Sequence, residues 1–214
     1  MGYRIERLSR FRTEIDALLR RGSTLKFVQI GANDGVRFDD LYQVVTNARC
    51  SGLVVEPLPD MYQRLQQNYR DYPAIVPINV AIHEHVQAVP LYRLHADAVD
   101  RYAGWATGIA SFDRDHLIRH GIDARDVVAV EVPCEPLMLL LQRTGMLDAD
   151  LMQVDTEGYD AQIIGMIDFK AFLPSLIKFE HKNMSREVRA ATLELLRRNG
   201  YRCTSEGADT VAWR

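Results

Sequence analysis

Apolar residues at Ile5, Leu8, Phe11, Ile15, Leu18 and Leu19 recur at three- and four-residue steps, the spacing of an amphipathic helix that ends near Gly22. The pattern predicts a helical cap over residues 1–24, packed on a main domain of residues 25–214. Arg4, Arg7, Arg10 and Arg12 also suit a membrane-surface helix, but Glu6, Glu14 and Asp16 dilute the charge and favour packing. From Leu25 the period changes. Residues 25–30, 52–55 and 75–82 are short, β-branched apolar runs, and residues 38–48 and 61–72 between them have helical composition, each roughly three turns long. Such alternation predicts right-handed βαβ crossovers and a parallel sheet covered on both faces.

Further along, strands are predicted over residues 86–94 and 127–132, separated by a stretch at 103–111 whose Gly, Ala, Thr and Ser content predicts a mobile loop. A helix over 136–144 precedes two core strands at 151–154 and 176–179, with a helix over 159–167 between them. A helix over 185–199 and a closing hairpin over 201–214 complete the chain. The sum is an α/β fold, a doubly wound and mostly parallel sheet of about seven strands with helices on both faces. No repeat, low-complexity tract or domain linker interrupts it.

Composition narrows the partners. With 214 residues and 47% apolar content, the chain can bury one substantial core. A formal charge of -3 gives no broad electrostatic reason to expect nucleic acid or an anionic membrane as partner. Cys50, Cys134 and Cys203 are odd in number and lack zinc-ligand spacing, which fits a reducing cytoplasm. Apolar runs such as residues 137–141 fall far short of the ~20 residues that span a bilayer, and the N-terminus lacks the apolar core of a signal peptide. A cytoplasmic protein with a small-molecule partner is the expectation.

The most informative stretch is Phe27-Val28-Gln29-Ile30-Gly31-Ala32-Asn33-Asp34-Gly35, an apolar strand running into a loop of residues that tolerate positive φ and close approach by a ligand. Open α/β sheets bind ligands at this carboxyl end of the first strand. The order of small residues departs from the G-x-G-x-x-G phosphate fingerprint, since Asn33 stands at the middle glycine, so a ligand without phosphate is favoured. The second strand ends in Glu56-Pro57, 21 residues after Gly35, close to the ~20-residue separation at which a carboxylate meets ribose hydroxyls. Glu56 alone reads as a strand-end residue in water; coupled to the loop it points to an adenosine with free hydroxyls. Asn79-Val80-Ala81 could border an adenine edge, or Asn79 could satisfy a strand-to-loop backbone group.

At these residues the chain resembles the FkbM family of S-adenosylmethionine-dependent methyltransferases. The motifs are Val28–Gly35, Glu56-Pro57 with Tyr62, Leu65 and Asn68, Asn79–Ala81, and Leu151-Met152-Gln153-Val154-Asp155-Thr156-Glu157-Gly158-Tyr159-Asp160. The resemblance covers residues 26–200 and implies a class I, Rossmann-like methyltransferase fold. It also implies that the Gly31–Gly35 loop cradles the methionine moiety, Glu56 holds the ribose, and Asn79, Val80 and Ala81 neighbour the adenine. Cys134-Glu135-Pro136-Leu137 stands where the family often has a Leu-Asp pair, and Gln153 where it usually has lysine.

Family members include many O-methyltransferases of natural products and sugars, so the expected reaction is methylation of a hydroxyl, with nitrogen as the second acceptor and a non-catalytic cofactor-binding subunit as the alternative. Methyl transfer from a sulfonium is an in-line displacement that needs a positioned acceptor and a group to take its proton. The loops after the fourth and fifth core strands supply Asp155, Thr156, Glu157, Asp160, Glu180, His181 and Lys182. Asp155 is expected beside the cofactor, with Glu157 and His181 orienting or deprotonating the acceptor, although acids at 155 and 157 also suit capping of the next helix. Asp155, Glu157 and Asp160 are oxygen ligands suited to a hard divalent cation, and metal use stays open. Trp105, Thr107 and Ser111 form the expected acceptor wall together with Glu180; Trp105 suits stacking on an acceptor and equally packing on the core. His83, His85, His95, His116 and His120 are expected in surface or capping roles.

Overall fold

The computed structural model describes residues 9–21, 24–37, 39–85 and 87–214. Its main sheet is built from β1 (Leu25–Ile30), β2 (Cys50–Val55), β3 (Ile75–Ile78), β8 (Leu151–Val154), β9 (Leu176–Glu180), β10 (Arg202–Glu206) and β11 (Asp209–Trp213). The spatial order is β10-β11-β9-β8-β1-β2-β3. Five neighbours run parallel, and β11 reverses direction between β9 and β10. The chain winds outward from β1 to β3, then returns to the other side of β1 at β8, which creates the switch point at which open α/β sheets hold ligands.

Alternation along β1 explains the two covered faces. Val28 and Ile30 join a core with Leu140 from α5 (Leu137–Thr144), Ile163 and Ile164 from α6 (Asp160–Gly165), and Leu196 from α7 (Arg186–Arg198). Leu25 and Phe27 face the opposite way, toward Val44 and Val45 from α2 (Tyr42–Asn47) and Leu65 and Tyr69 from α3 (Pro59–Tyr69). On that second face α1 (Arg10–Arg21) buries Phe11 and Ile15, and Glu206 of β10 accepts from the backbone N–H groups of Arg10 and Phe11 at its start. Ile5, Leu8, Arg4, Arg7 and Glu6 of the expected helix, and its Gly22 end, lie outside the described residues.

The middle of the chain differs from the expectation. The apolar run at 75–82 splits into β3 and β4 (Ala81–Ile82), and β4 leaves the main sheet to pair with β7 (Val127–Glu135). Asn79 causes the break, because its amide donates to the Glu56 and Pro57 carbonyls at 2.8 and 2.9 Å. β5 (Ala88–Leu94) pairs antiparallel with β7 and with β6 (Ala110–Ser111), giving a second sheet in the order β4-β7-β5-β6. Within 103–111 the structure has a 3-10 turn over Gly104–Thr107 followed by β6. That turn and α4 (Arg114–Arg119) share a separate small core in which Leu94, Ala98, Ala106, Leu117 and Ile122 are buried. Helix α2 is half the expected length because Asp39 accepts from Leu41 N at 2.7 Å and starts it late. No described helix is long and apolar enough to cross a membrane.

Candidate active site

The strand-to-loop turn after β1 is held by backbone. Gly31 N and Ala32 N both donate to the Val55 carbonyl at 3.0 Å, and Asp155 N donates to the Ile30 carbonyl at 2.9 Å. These bonds draw the ends of β1, β2 and β8 together. Gly31 has φ +81°, and a Cβ there would lie 1.7 Å from the Asp155 carbonyl oxygen. Only glycine permits that approach. Asn33 also has positive φ, and its backbone N–H donates to Glu56 Oε2 at 2.9 Å while Leu58 N donates to Oε1 at 2.9 Å. Glu56 thus ties the β1 loop to the β2 loop, and burial pushes its carboxyl up to about 7 against the pull of those two donors.

Around this junction lies a cavity of about 480 Å³. Gln29 and Gln153 sit in register on β1 and β8 at its floor, both buried, and among the described residues neither side-chain oxygen has a hydrogen-bond partner. Val80, Ala81, Ile82, Leu91 and Phe112 form an apolar wall. Phe112 is fixed edge-on against Tyr159, which stacks on His83.

On the other wall Asp155 opens to the cavity yet lies deep among protein atoms. Burial, then the carboxylates of Asp160, Glu157, Glu180 and Asp209, hold it well above the usual range. Asp160 is buried, accepts from Thr156 Oγ1 at 3.0 Å and Glu180 N at 3.2 Å, and is raised by burial to about 6. Glu180 is raised to about 7 by burial and by Glu157. Lys182, which lines the cavity, tempers the rise at Glu180. Among the described residues no group of three or more His, Cys, Asp or Glu side chains converges as a metal site.

Glu157 stands on a strained turn at φ +51°, followed by Gly158 at φ +107°. Ser111 Oγ donates to its carbonyl at 2.8 Å, and His116 Nε2 lies 3.1 Å from its Oε2. His116 is buried, and His120 leans on it with ring centroids 4.4 Å apart. The segment carrying β6 and α4 therefore forms the upper rim, where Trp105, Gly108, Ile109 and His120 line the cavity opposite Lys182.

The model of the methyltransferase FkbM domain matches residues 29–203, which is most of the chain. The chain belongs to the FkbM methyltransferase family. Methyltransferase FkbM from Methylobacillus flagellatus KT has the same fold, with a TM-score of 0.54 and 16% identity over 90% of this chain and 44% of that one, so this chain spans less than half that protein's length. The METTL16 MTase domain aligns with a TM-score of 0.52 and 12% identity over 94% of this chain and 65% of that one. The fold is the class I methyltransferase fold expected from the sequence. No curated protein sequence matches the chain.

Within this FkbM domain the expected site residues separate into groups. Gln29, Gly31, Ala32, Asn33, Glu56, Pro57, Val80, Ala81, Asp155, Glu157 and Trp105 all line the cavity. Asp34, Gly35 and Asn79 instead shape its walls: Asp34 accepts from Val36 N and Arg37 N at 3.0 and 2.8 Å, and the Asn79 amide is spent on backbone. Thr107 bonds the Gly104 carbonyl, and Ser111 props up Glu157. Glu180 and His181 are not on the cavity wall; Glu180 accepts from Asn183, and His181 Nδ1 meets Thr210 Oγ1 at 3.0 Å. Among the residues that the sequence did not single out, the cavity reaches the titratable groups of His120, Arg37 and Asp39 and the apolar side chains of Leu91 and Phe112.

The raised carboxyls have a consequence for stability. Glu56 and Asp160 bind protons more tightly folded than unfolded, so their stabilising contribution is complete below about pH 4 and is lost as pH rises toward 7. His181, lowered by burial, acts in the opposite sense but is only partly enclosed. The ligand-free protein is expected to be more stable at pH 5 than at pH 7.5 by on the order of a few kcal/mol, and so to melt at a higher temperature. A melting temperature that climbs steadily from pH 5 to 7.5 contradicts the burial of these two acids.

Proposed function

We propose that this chain transfers a methyl group from S-adenosylmethionine to a hydroxyl of a small molecule, sugar or natural-product intermediate. The observation that carries the reading is one cavity bounded by Gly31, Glu56 and Asp155, three residues drawn from the ends of β1, β2 and the adjacent β8. The residues fit the cofactor on separate grounds. Glu56 keeps lone pairs for ribose hydroxyls beyond its two backbone donors. The orphaned oxygens of Gln29 and Gln153 suit an ammonium donor such as the amino-acid tail carries. Val80, Ala81 and Leu91 offer an apolar surface for a base. When bound, S-adenosylmethionine supplies a sulfonium-activated methyl carbon open to in-line displacement.

The chain's own residues then orient and neutralise. Asp155 faces the cavity with four acidic neighbours and balances a positive charge placed there. Glu157, braced by Ser111 and His116, borders the space left for the acceptor, and Trp105 and Phe112 enclose it. The buried and half-buried thiols of Cys50, Cys134 and Cys203 suit a reducing cytoplasm. Calorimetry with S-adenosylmethionine, S-adenosylhomocysteine and NAD tests the cofactor, and tighter binding of NAD would overturn the reading. Label transfer from methyl-tritiated donor to hydroxylated or amine acceptors then distinguishes oxygen from nitrogen chemistry, and transfer only to amines would replace the O-methylation part.

The role of Asp155 makes a separate claim. The sulfur of S-adenosylmethionine is cationic and that of S-adenosylhomocysteine neutral, so the ratio of their affinities is expected to rise roughly tenfold with pH as Asp155, held above the usual carboxylate range by burial, ionises. Asp155→Asn should leave that ratio nearly flat. A wild-type ratio independent of pH would remove Asp155 from the neighbourhood of the sulfonium.

A further inference from the structure

His120 closes α4 and is one of the residues that line the cavity. Its Nδ1 lies 2.8 Å from the His116 carbonyl oxygen, which also accepts the His120 backbone N–H at 3.2 Å. A carbonyl oxygen only accepts, so Nδ1 carries the proton and the neutral ring keeps its lone pair on Nε2. Among the described residues nothing hydrogen-bonds that Nε2 atom. The ring cannot swing freely either, because the buried His116 ring packs against it and is itself anchored to Glu157.

The other proton acceptors on the wall are braced or shut away. Both oxygens of Glu56 take backbone donors, Glu157 Oε2 faces His116, and Asp39 accepts from Leu41 N through Oδ1 while its Oδ2 is buried without a partner among the described residues. Asp155 is assigned to the sulfonium charge, and His181, which the sequence offered alongside Glu157, bonds Thr210 away from the cavity. We propose that His120 Nε2 is the base that takes the proton from the acceptor's hydroxyl, an inference that rests on the O-methyltransferase reading. In this step the acceptor oxygen bonds to the methyl carbon, the carbon–sulfur electron pair stays on sulfur, and the hydroxyl proton moves to His120 Nε2. The imidazolium so formed is held through its Nδ1–H by the His116 carbonyl, then returns the proton to water.

The tautomer can be read without knowing the acceptor. Long-range proton–nitrogen NMR of the 15N-labelled full chain, saturated with S-adenosylhomocysteine at pH 8, should show His120 protonated at Nδ1 and bare at Nε2. The His120→Asn spectrum assigns the signals, since asparagine keeps a donor near Nδ1 for the His116 carbonyl and deletes Nε2. A ring protonated at Nε2 overturns the proposal. With any hydroxylated acceptor that the wild type methylates, His120→Asn should lower kcat at least about 100-fold and keep the S-adenosylhomocysteine Kd within about twofold. Unchanged kcat overturns the assignment. Failure of the wild-type chain to bind S-adenosylhomocysteine is a different result: it removes the cofactor reading beneath the proposal, while the tautomer, measured ligand-free, still reports on His120.

Discussion

Gly31→Ala is expected to abolish S-adenosylhomocysteine binding and to lower the melting temperature by about 10 °C or more. The added Cβ would sit 1.7 Å from the Asp155 carbonyl oxygen and 2.7 Å from its carbon, both rigid backbone atoms. Relief requires β1 and β8 to part where Asp155 N bonds Ile30 and where Gly31 N and Ala32 N bond Val55. The φ of +81° adds strain of its own for any L side chain. Gly35→Ala serves as the control. Its Cβ would meet the Leu65 Cδ1 and Tyr69 ring atoms at 2.5 and 2.6 Å, ends of side chains that can shift, so a smaller loss is expected. Calorimetry and thermal melts of the two variants decide it; wild-type ligand affinity in Gly31→Ala would show that the three strand ends need not meet.

That junction was legible in the sequence because its signals are local. An apolar run breaking into Gly31-Ala32-Asn33-Asp34-Gly35, and an acid closing the next run, each report a strand end without reference to the rest of the chain. β1 and β8 fall where the periodicity placed them, at Leu25–Ile30 and Leu151–Val154. The run at 75–82 was misleading because hydrophobicity alone does not record that Asn79 reaches back to Glu56 and Pro57 and turns the chain into a second sheet. The two histidines beside the cavity were hidden for a similar reason. His116 and His120 meet the site through tertiary packing, 41 residues from Glu157 in the case of His116, and only their four-residue spacing on one helix offered a hint. His181 attracted attention by adjacency to the end of β9, but past Glu180 the chain turns, His181 Nδ1 meets Thr210, and Lys182 rather than His181 lines the cavity.

Glu56→Gln is expected to weaken S-adenosylhomocysteine binding about 100-fold, or ~2.7 kcal/mol, through two effects that can be separated. Both carboxylate oxygens accept backbone N–H groups, from Asn33 and from Leu58, so the amide nitrogen of glutamine must face one of those donors. An unsatisfied buried N–H costs about 1–3 kcal/mol and loosens the β1 loop whether or not a ligand is present. The second effect is loss of the acceptor for ribose hydroxyls. A 2′,3′-dideoxy analogue of S-adenosylhomocysteine distinguishes them in a double-mutant cycle. If Glu56 holds the ribose, the substitution weakens the dideoxy ligand much less than the natural one; equal loss for both would confine Glu56 to bracing the loop. The pH dependence points the same way. Hydroxyl donors favour the carboxylate over the carboxyl, and burial holds Glu56 at about 7, so wild-type affinity for the natural ligand should climb between pH 6 and pH 8 and that climb should vanish in Glu56→Gln.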